Sequence, residues 1–260
     1  MNYGRFSVWL NGQGLQDIDE TVFVLDVAES APDEDKQTAT TAAPGSLLLA
    51  RTRRALSVTI TFCVREYDIT RRRQIVDEIR TLCAAGGWLE INERPDQRLW
   101  VTCDTLPTIS SSQRWTENLS VVFVAYAAPY WQQKTATKAR ITVATTYGIV
   151  NIHPIGNAKG TPLRAEITPA LETTNIVKVV LDDNRQIIFD ALGLAAGKTL
   201  NIGHDGYGRI FATIDGKSVL SKRTADSADD LIVPSGENTK ILLQCDKACT
   251  ATFSAYGRWI

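Results

Sequence analysis

Between Arg51 and Pro107 the chain runs through a strand, a helix and a hairpin without a break, and any fold must accommodate that order. From Leu56 the apolar residues alternate (Leu56, Val58, Ile60, Phe62, Val64) with Ser57, Thr59 and Thr61 between them. A period of two sends one set of side chains to one face of a sheet. Asp68 or Thr70 can accept the free amides of a helix start. Ile75, Ile79 and Leu82 then form an apolar stripe, leaving Arg71, Arg72, Asp77, Glu78 and Arg80 for the wet side. Gly86 and Gly87 stop the helix, because glycine takes the left-handed conformation of a C-cap without a Cβ penalty. Trp88 to Ile91 and Leu99 to Cys103 read as strands, and Arg94-Pro95-Asp96-Gln97 between them suits a type I turn. Trp88 and Trp100 can meet across that hairpin.

A chain of 260 residues holds two domains of ordinary size. Its 44% hydrophobic share fits a globular protein, and its net charge of −1 gives no electrostatic footprint for nucleic acid. The densest basic grouping is Arg51, Arg53, Arg54 and Arg71 to Arg73, offset by acidic residues at Glu29 to Asp35 and Asp226 to Asp230. The first residues lack the apolar core of a signal peptide, and no apolar run reaches the length of a membrane span. Five cysteines without paired-motif spacing point to a reducing compartment. Cys245 and Cys249 either face each other across a tight hairpin or stand as free thiols behaving as small apolar side chains. With only His153 and His204 available, a zinc site has no support, and nothing calls for a cofactor.

In chain order, Phe6, Val8 and Leu10 form a first strand ending at Asn11-Gly12. Val22 to Val27 is a nearly continuous apolar run, consistent with a strand covered on both faces. Glu29 to Gly45 is acidic, then rich in Thr and Ala, with almost no large apolar residue. It reads as a long mobile loop, or as a contact arm that orders on assembly. Ile109 to Asn118, with Trp115, is a polar connector into the hydrophobic strand Leu119 to Tyr126. Ala128-Pro129-Tyr130-Trp131 ends that strand, its aromatic pair capping the core edge or meeting a partner. Gln132 to Lys138 is the polar boundary between domains, placed at 1–134 and 135–260.

The second half reads as all-β, with strands at Ile141 to Ala144, Leu163 to Thr168, Ile176 to Leu181 and Gln186 to Phe189. They continue at Thr199 to Ile202, Arg209 to Ile214, Lys240 to Cys245 and Ala251 to Tyr256. Asp215-Gly216 signals a hairpin between Ala212-Thr213-Ile214 and Ser218-Val219-Leu220. Strands at this spacing argue for a sandwich. The fold class is therefore mainly β: an N-terminal β-sandwich with one helix and a hairpin, then a second, jelly-roll-type β-sandwich.

The run RTRRALSVTITFCVREYDITRRRQIVDEI, followed by GGWLEINERPDQRLWV, resembles the N-terminal domain of siphophage distal tail (Dit) proteins. There an arginine-flanked strand precedes a helix and a hairpin of the form W-L-x-I … R-P-x-x-R-L-W-V. The resemblance covers Leu47 to about Trp131 well. In outline it extends to a galectin-like sandwich through Gly156-Asn157, Pro162 to Ile167, Leu231 to Asn238 and Tyr256 to Trp259. It implies a homohexameric ring in the virion tail tip, assembled in the host cytoplasm. Such a ring joins the tail tube protein to the tail-tip or baseplate hub and to adsorption proteins, with DNA only passing through its lumen. Where the family often has a short glycine-containing loop, this chain has the Thr/Ala-rich segment ending at Gly45, a candidate grip on a neighbouring subunit or the tube. Arg51, Arg53 and Arg54 against Asp33, Glu34 and Asp35 are the candidate assembly contacts.

An enzyme needs a nucleophile with its base, or paired carboxylates in a cleft. The sequence holds no Gly-x-Ser-x-Gly, Walker loop, His-Glu-x-x-His or Cys-x-x-Cys, and Gly203-His204-Asp205-Gly206 reads as a hairpin tip. No catalytic residue is assigned. A carbohydrate-binding module acting at a host surface is the alternative, although the His, Asn, Arg and stacking Trp of galectin sugar sites are not found.

Overall fold

The computed structural model describes residues 6–30, 34–40, 46–53, 55–109, 116–144, 146–205 and 208–259. The chain divides into two compact units, one ending at Trp131 and the other running from Gln132 to Trp259.

The first unit contains β1 (Val8–Leu10), β2 (Gln13–Gly14), β3 (Val22–Glu29), β4 (Glu34–Thr40), β5 (Ser46–Arg53) and β6 (Leu56–Val64). Helix α1 (Ile69–Ala84) follows, then β7 (Gly87–Ile91), β8 (Gln97–Thr105) and β9 (Thr116–Ala125). Hydrogen-bonded neighbours run in the order β2-β1-β7-β8-β9-β6-β3. β8 is the corner of the sandwich. Its Leu99 to Val101 pair with β7, whereas Thr102 to Thr105 pair with β9 across a bulge at Asp104. A bulge bends and twists its strand, which lets one strand serve two sheets. Val58, Ile60, Phe62, Leu89, Leu99, Val121 and Phe123 fill the space between, all buried. Each such side chain contributes about 1.5–3 kcal/mol relative to exposure.

Helix α1 packs against β6 and β8. Asp68 caps it, its Oδ1 accepting from the amides of Thr70 at 2.7 Å and Arg71 at 3.0 Å. The buried face is Arg72, Ile75, Val76, Ile79 and Cys83, while Leu82 is only half-buried. Arg72 therefore corrects the sequence reading, which left it for solvent. The helical period places it on the same row as Ile75, Val76 and Ile79, so its aliphatic stem is covered. Its Nη1 reaches the Glu66 carbonyl at 3.3 Å. Gly86 ends the helix at φ 61°, and a Cβ there would lie 2.7 Å from the Val101 carbonyl oxygen. Asn11, in the β1–β2 turn, donates its side-chain amide to Gly86 O at 2.8 Å and accepts from Trp88 N at 2.9 Å.

Two further readings change. β3 is the terminal strand of its sheet rather than a strand covered on both faces: Val22 and Val24 are buried, but Leu25, Asp26, Ala28 and Glu29 are exposed. Its apolar run reflects inward residues plus a bulge at Leu25, where the register with β6 slips. The segment Glu29 to Gly45 is not one long loop, since Glu34 to Thr40 form β4, paired antiparallel with β5. Backbone pairing satisfies β4, which has no large apolar residue of its own, while its partner β5 contains Leu47, Leu48 and Leu49. Trp115 lies outside the described residues.

The second unit begins within β10 (Trp131–Gln133) and continues through β11 (Thr137–Val143), β12 (Tyr147–Ile152), β13 (Thr161–Pro169), β14 (Val177–Leu181) and β15 (Gln186–Phe189). Next come β16 (Leu200–His204), β17 (Ile210–Ile214), β18 (Lys217–Ser218), β19 (Ile232–Val233), β20 (Thr239–Cys245), β21 (Cys249–Ala255) and β22 (Arg258–Trp259). One sheet runs β11-β21-β13-β16-β17-β18, the other β12-β20-β14-β15. One buried cluster joins residues of both sheets, including Leu163, Ile167, Val179, Phe189, Leu243 and Phe253. This is the β-sandwich expected from the strand spacing. Asp215 and Gly216 take φ 49° and 77°, as the β17–β18 hairpin requires. The strand after that turn is shorter than read, because Leu220 to Lys222 coil into a 3₁₀ turn.

Five of the six tryptophans (Trp9, Trp88, Trp100, Trp115, Trp131) belong to the first unit, so fluorescence reports its unfolding. Gly86→Ala is expected to cost that unit about 1–3 kcal/mol in urea unfolding, through strained φ and the approach to Val101. Asp68→Ala is expected to cost about 1 kcal/mol. An unchanged midpoint for Gly86→Ala would show that the helix end does not depend on that conformation.

Candidate assembly surfaces

β3 and β6 are partners, and the chain between them returns as the β4–β5 ribbon, a sheet of its own. The ribbon leaves the sandwich from its terminal strand. At its root, Ser30 N donates to Ser57 O at 2.9 Å, and Ser57 N to the Ser30 hydroxyl at 3.1 Å.

Glu29, the last residue of β3, is held by both of its oxygens. Arg94 Nε donates to Oε1 at 2.8 Å, and Arg94 Nη2 to Oε2 at 3.1 Å. The Trp131 indole N–H donates to Oε2 at 2.9 Å, and the Arg94 guanidinium stands 5.1 Å from the centroid of the Trp131 ring. Arg94 also reaches Gln97 Oε1 at 3.1 Å across its own turn. The side chains of Glu29 and Arg94 are 27% and 29% exposed, so solvent screens this pair less than a surface pair. A two-point charged fork plus an indole donor holds the end of β3 against the β7–β8 turn and Trp131.

Of the residues singled out from sequence, Arg53 stands opposite Glu34 in the β4–β5 register, Thr52 opposite Asp35, and Arg51 opposite Lys36. The acidic and basic residues thus lie along one ribbon of one chain. Asp33 and Arg54 lie outside the described residues.

The outer face of β1, β7 and β8 is aromatic. Val8, Leu10, Leu89, Ile91, Leu99 and Val101 point inward, and the alternate set Trp9, Trp88, Glu90, Arg98 and Trp100 points out. Trp88 and Trp100 are cross-strand partners in an edge-to-face arrangement, their centroids 5.1 Å apart at 77°. The Arg98 guanidinium lies 3.9 Å from the Trp88 centroid, an arrangement that quadrupole attraction favours. Trp100 is 45% exposed.

In the second unit the charged side chains hold turns. Arg185 bonds Asp183, Asp230 and the Ile232 carbonyl, and Arg223 bonds Asp229. His204 is the last residue of β16 and is buried, its Nε2 3.5 Å from Leu231 N. Burial lowers its pKa and Arg258 adds to that, outweighing Asp230 and Asp205. Placed so, His204 does not offer its ring to a saccharide. Among the described residues no group of His, Cys, Asp and Glu could hold a metal ion, and no helix is long and apolar enough to cross a membrane.

Sequence reasoning named Glu29, Arg94 and Trp131 separately and missed their meeting. Arg94→Ala is expected to lower the stability of the first unit by about 1–2 kcal/mol, as loss of a charged hydrogen bond does. The double-mutant cycle with Glu29→Gln is expected to show coupling of about 1 kcal/mol, and additive losses would count against the fork. For His204, a pKa depressed by folding means full stability above the unfolded value near 6.5 and progressive loss as pH falls below it. Calorimetry between pH 7.5 and 5 is expected to show this loss in the second unit. His204→Gln, which keeps an acceptor for Leu231 N, should flatten the slope.

No family model matches this chain, and no curated protein matches its sequence. Solved structures do share its fold. The Dit (gp 19.1) protein of phage SPP1, described as a paradigm of hub adsorption apparatus in phages infecting Gram-positive hosts, superposes with a TM-score of 0.72 at 14% identity, covering 96% of this chain and 98% of that one. A chain of the phage P2 baseplate in its activated conformation with Ca superposes at 0.53 and 9% identity, covering 97% of each. The p2 baseplate with Sr gives 0.52 at 9% identity, covering 96% of this chain and 97% of that one. The order of strands, helix and hairpin read from Leu56 to Cys103 is thus part of a two-sandwich fold shared with a distal tail protein and with baseplate chains.

Proposed function

We propose that this chain is a structural hub of a phage tail, with six copies closing into a ring that joins the tail tube to the baseplate and its adsorption proteins. Residues 1–134 build the ring, DNA passes through its lumen, and residues 135–260 form a galectin-like domain available to adsorption proteins. The protein acts in the virion after assembly in the host cytoplasm, and its role is geometric rather than enzymatic.

The observation that carries this reading is the first unit's terminal strand together with its ribbon. β3 ends the sheet with no strand beyond it among the described residues, and the chain between β3 and β6 pairs as a ribbon, a sheet of its own. An edge strand presents unpaired amides and carbonyls that suit strand addition by another chain. When the surface joined differs from the surface joining, repetition closes a ring if the rotation divides a full turn. The likeness to the SPP1 hub protein over nearly the whole chain supports the same reading. Arg51, Arg53 and Arg54 with Asp33, Glu34 and Asp35 would set the register between neighbouring copies.

Sedimentation of the purified protein, alone and with a tail tube protein, is expected to give a species of six times the 28.6 kDa chain. Negative-stain images should show rings with an open centre. Replacing residues 31–54 by a short turn should abolish the ring while leaving first-unit unfolding in urea nearly unchanged. A strict monomer at high concentration under both conditions would overturn the hub, and intact rings after the excision would overturn the role of the ribbon.

A further inference from the structure

The second unit turns two sheet faces away from its core, and they differ in chemistry. On the larger sheet Lys138, Ser254 and Arg164 form one outward row across β11, β21 and β13, and Arg140, Thr252 and Glu166 form the next. Polar rows of this kind are what an antiparallel sheet with one face in water carries. On the smaller sheet the registers put Ile149, Leu242 and Val180 side by side across β12, β20 and β14. Tyr147 and Ile188 stand at the two ends of the adjacent row. The alternate residues of these strands, such as Ile241, Leu243 and Val179, are the ones buried in the core.

Tyr147 is 63% exposed and Ile149 45%, while Leu242, Val180 and Ile188 are half-buried beside them. β12 ends its sheet and is seated closely on β11, since a Cβ at Gly148 would lie 2.6 Å from Ile141 Cδ1. The strand therefore presents Tyr147 and Ile149 from a fixed backbone. Lysines flank the apolar row on both sides. Lys178 lies in the Tyr147 row and Lys240 opposite Asn151 in the row beyond, about 14 Å apart along the strands. None of the outward residues of β12, β20, β14 and β15 is acidic. Carboxylates at the margins are engaged elsewhere: Asp182 accepts from Lys240 N at 3.2 Å, Asp246 from Asn175 N and Ile176 N, and Asp230 and Asp229 bond Arg185 and Arg223. Asp226 belongs to the segment along the outer side of β15, where Thr224 N and Ala228 N donate to Ile188 O and Gln186 O, so it borders the edge opposite β12.

We propose that the outer face of the smaller sheet is a protein-docking surface, and that its occupant is another protein whose apolar patch is bracketed by carboxylates meeting Lys178 and Lys240. An exposed apolar patch with a polar rim is the usual mark of a contact site, and tyrosine is among the residues that carry interface energy. The row Ile149, Leu242, Val180 supplies the area removed from water, and the two ammonium groups set the register and reject partners without matching carboxylates. A second copy docking through the same face is the wrong occupant, because the opposed faces bring lysines together with no carboxylate between them. That the partner is an adsorption protein of the tail rests on the hub reading; the chemistry of the face does not.

The experiment tags the full chain in the genome that encodes it, purifies the particles that contain it, and treats them with a carbodiimide, which joins an amine to a carboxylate only at direct contact. Mass spectrometry is expected to find Lys178 or Lys240 linked to an aspartate or glutamate of another protein. Leu242→Glu, at a position already half in water, is expected to leave second-unit unfolding in calorimetry nearly unchanged and to lower the amount of that partner about tenfold. Lys178→Glu, wholly on the surface rows, is expected to weaken docking in the same direction, and reversing the linked carboxylate of the partner to lysine should restore it. Links only to another copy of this chain, both lysines left unlinked while others couple, a partner retained by both variants, or recovery of this chain without any other protein would overturn the proposal. Flotation of the full chain with phosphatidylglycerol vesicles, abolished by Leu242→Glu, would overturn it in favour of a lipid surface. The hub reading is scored separately by ring size: rings whose two lysines stay unlinked sink the docking face alone, and docking without rings sinks the hub alone.

Discussion

A strand at the end of a sheet turns one row of amides and carbonyls away from its own fold, and those groups must find water or a partner. The first unit meets this constraint unevenly. At one end of its sheet order stands β2, two residues long, where little backbone is left open. At the other stands β3, eight residues long, with Leu25 bulged and Asp26 and Glu29 exposed. The bulge and the charges discourage indiscriminate pairing without sealing the edge. Between β3 and β6 the chain also forms the β4–β5 ribbon, a sheet of its own. A ring of copies is an arrangement in which such an edge and ribbon both acquire neighbours, because closure removes edges altogether.

What was legible in the sequence followed from short-range rules. Alternation from Leu56 to Val64 gave the inward face of β6, Asp68 the cap, Gly86 the helix stop, and Arg94 to Gln97 a turn closed by a 3.1 Å hydrogen bond. Trp88 and Trp100 could be placed together because a hairpin's register is local. Arg72 defeated the reading by chemistry, since a charged residue on an apolar row looks misplaced until its stem is counted as apolar. β3 defeated it by context, because a continuous apolar run also arises when a bulge shifts the inward set by one residue. β4 was missed because the composition of Glu29 to Gly45 reports only what that segment holds, whereas its strand pairs with β5, whose Leu47 to Leu49 lie outside it.

The arm's root was illegible for another reason. Glu29 and Arg94 are 65 residues apart, and Glu29 and Trp131 are 102 apart. No period or motif links a strand end, a hairpin turn and the first residue of β10; only the closed sandwich does. That closure depends on β8 serving two sheets, since its first half carries the hairpin that presents Arg94 and its second half joins β9. The corner that shapes the core therefore also places the guanidinium that holds the end of β3.

In the second unit, the polar side chains are used differently. Arg185 closes a turn against two carboxylates and a carbonyl, Asp246 holds two amides, and the Ser227 hydroxyl satisfies both the amide and the carbonyl of Ile188. A side chain committed to backbone groups in this way is a poor ligand for a saccharide, because freeing it gives up hydrogen bonds that hold the turn. A β-sandwich does not by itself dictate a binding site, since sites are grafted on folds rather than dictated by them. The consequence is a domain whose described polar groups mostly maintain its shape. Tyr147 and Ile149 on β12, together with Leu171, are exposed on its surface, so contact with another protein would draw on surface shape and apolar area rather than on a pocket of convergent hydrogen-bond donors.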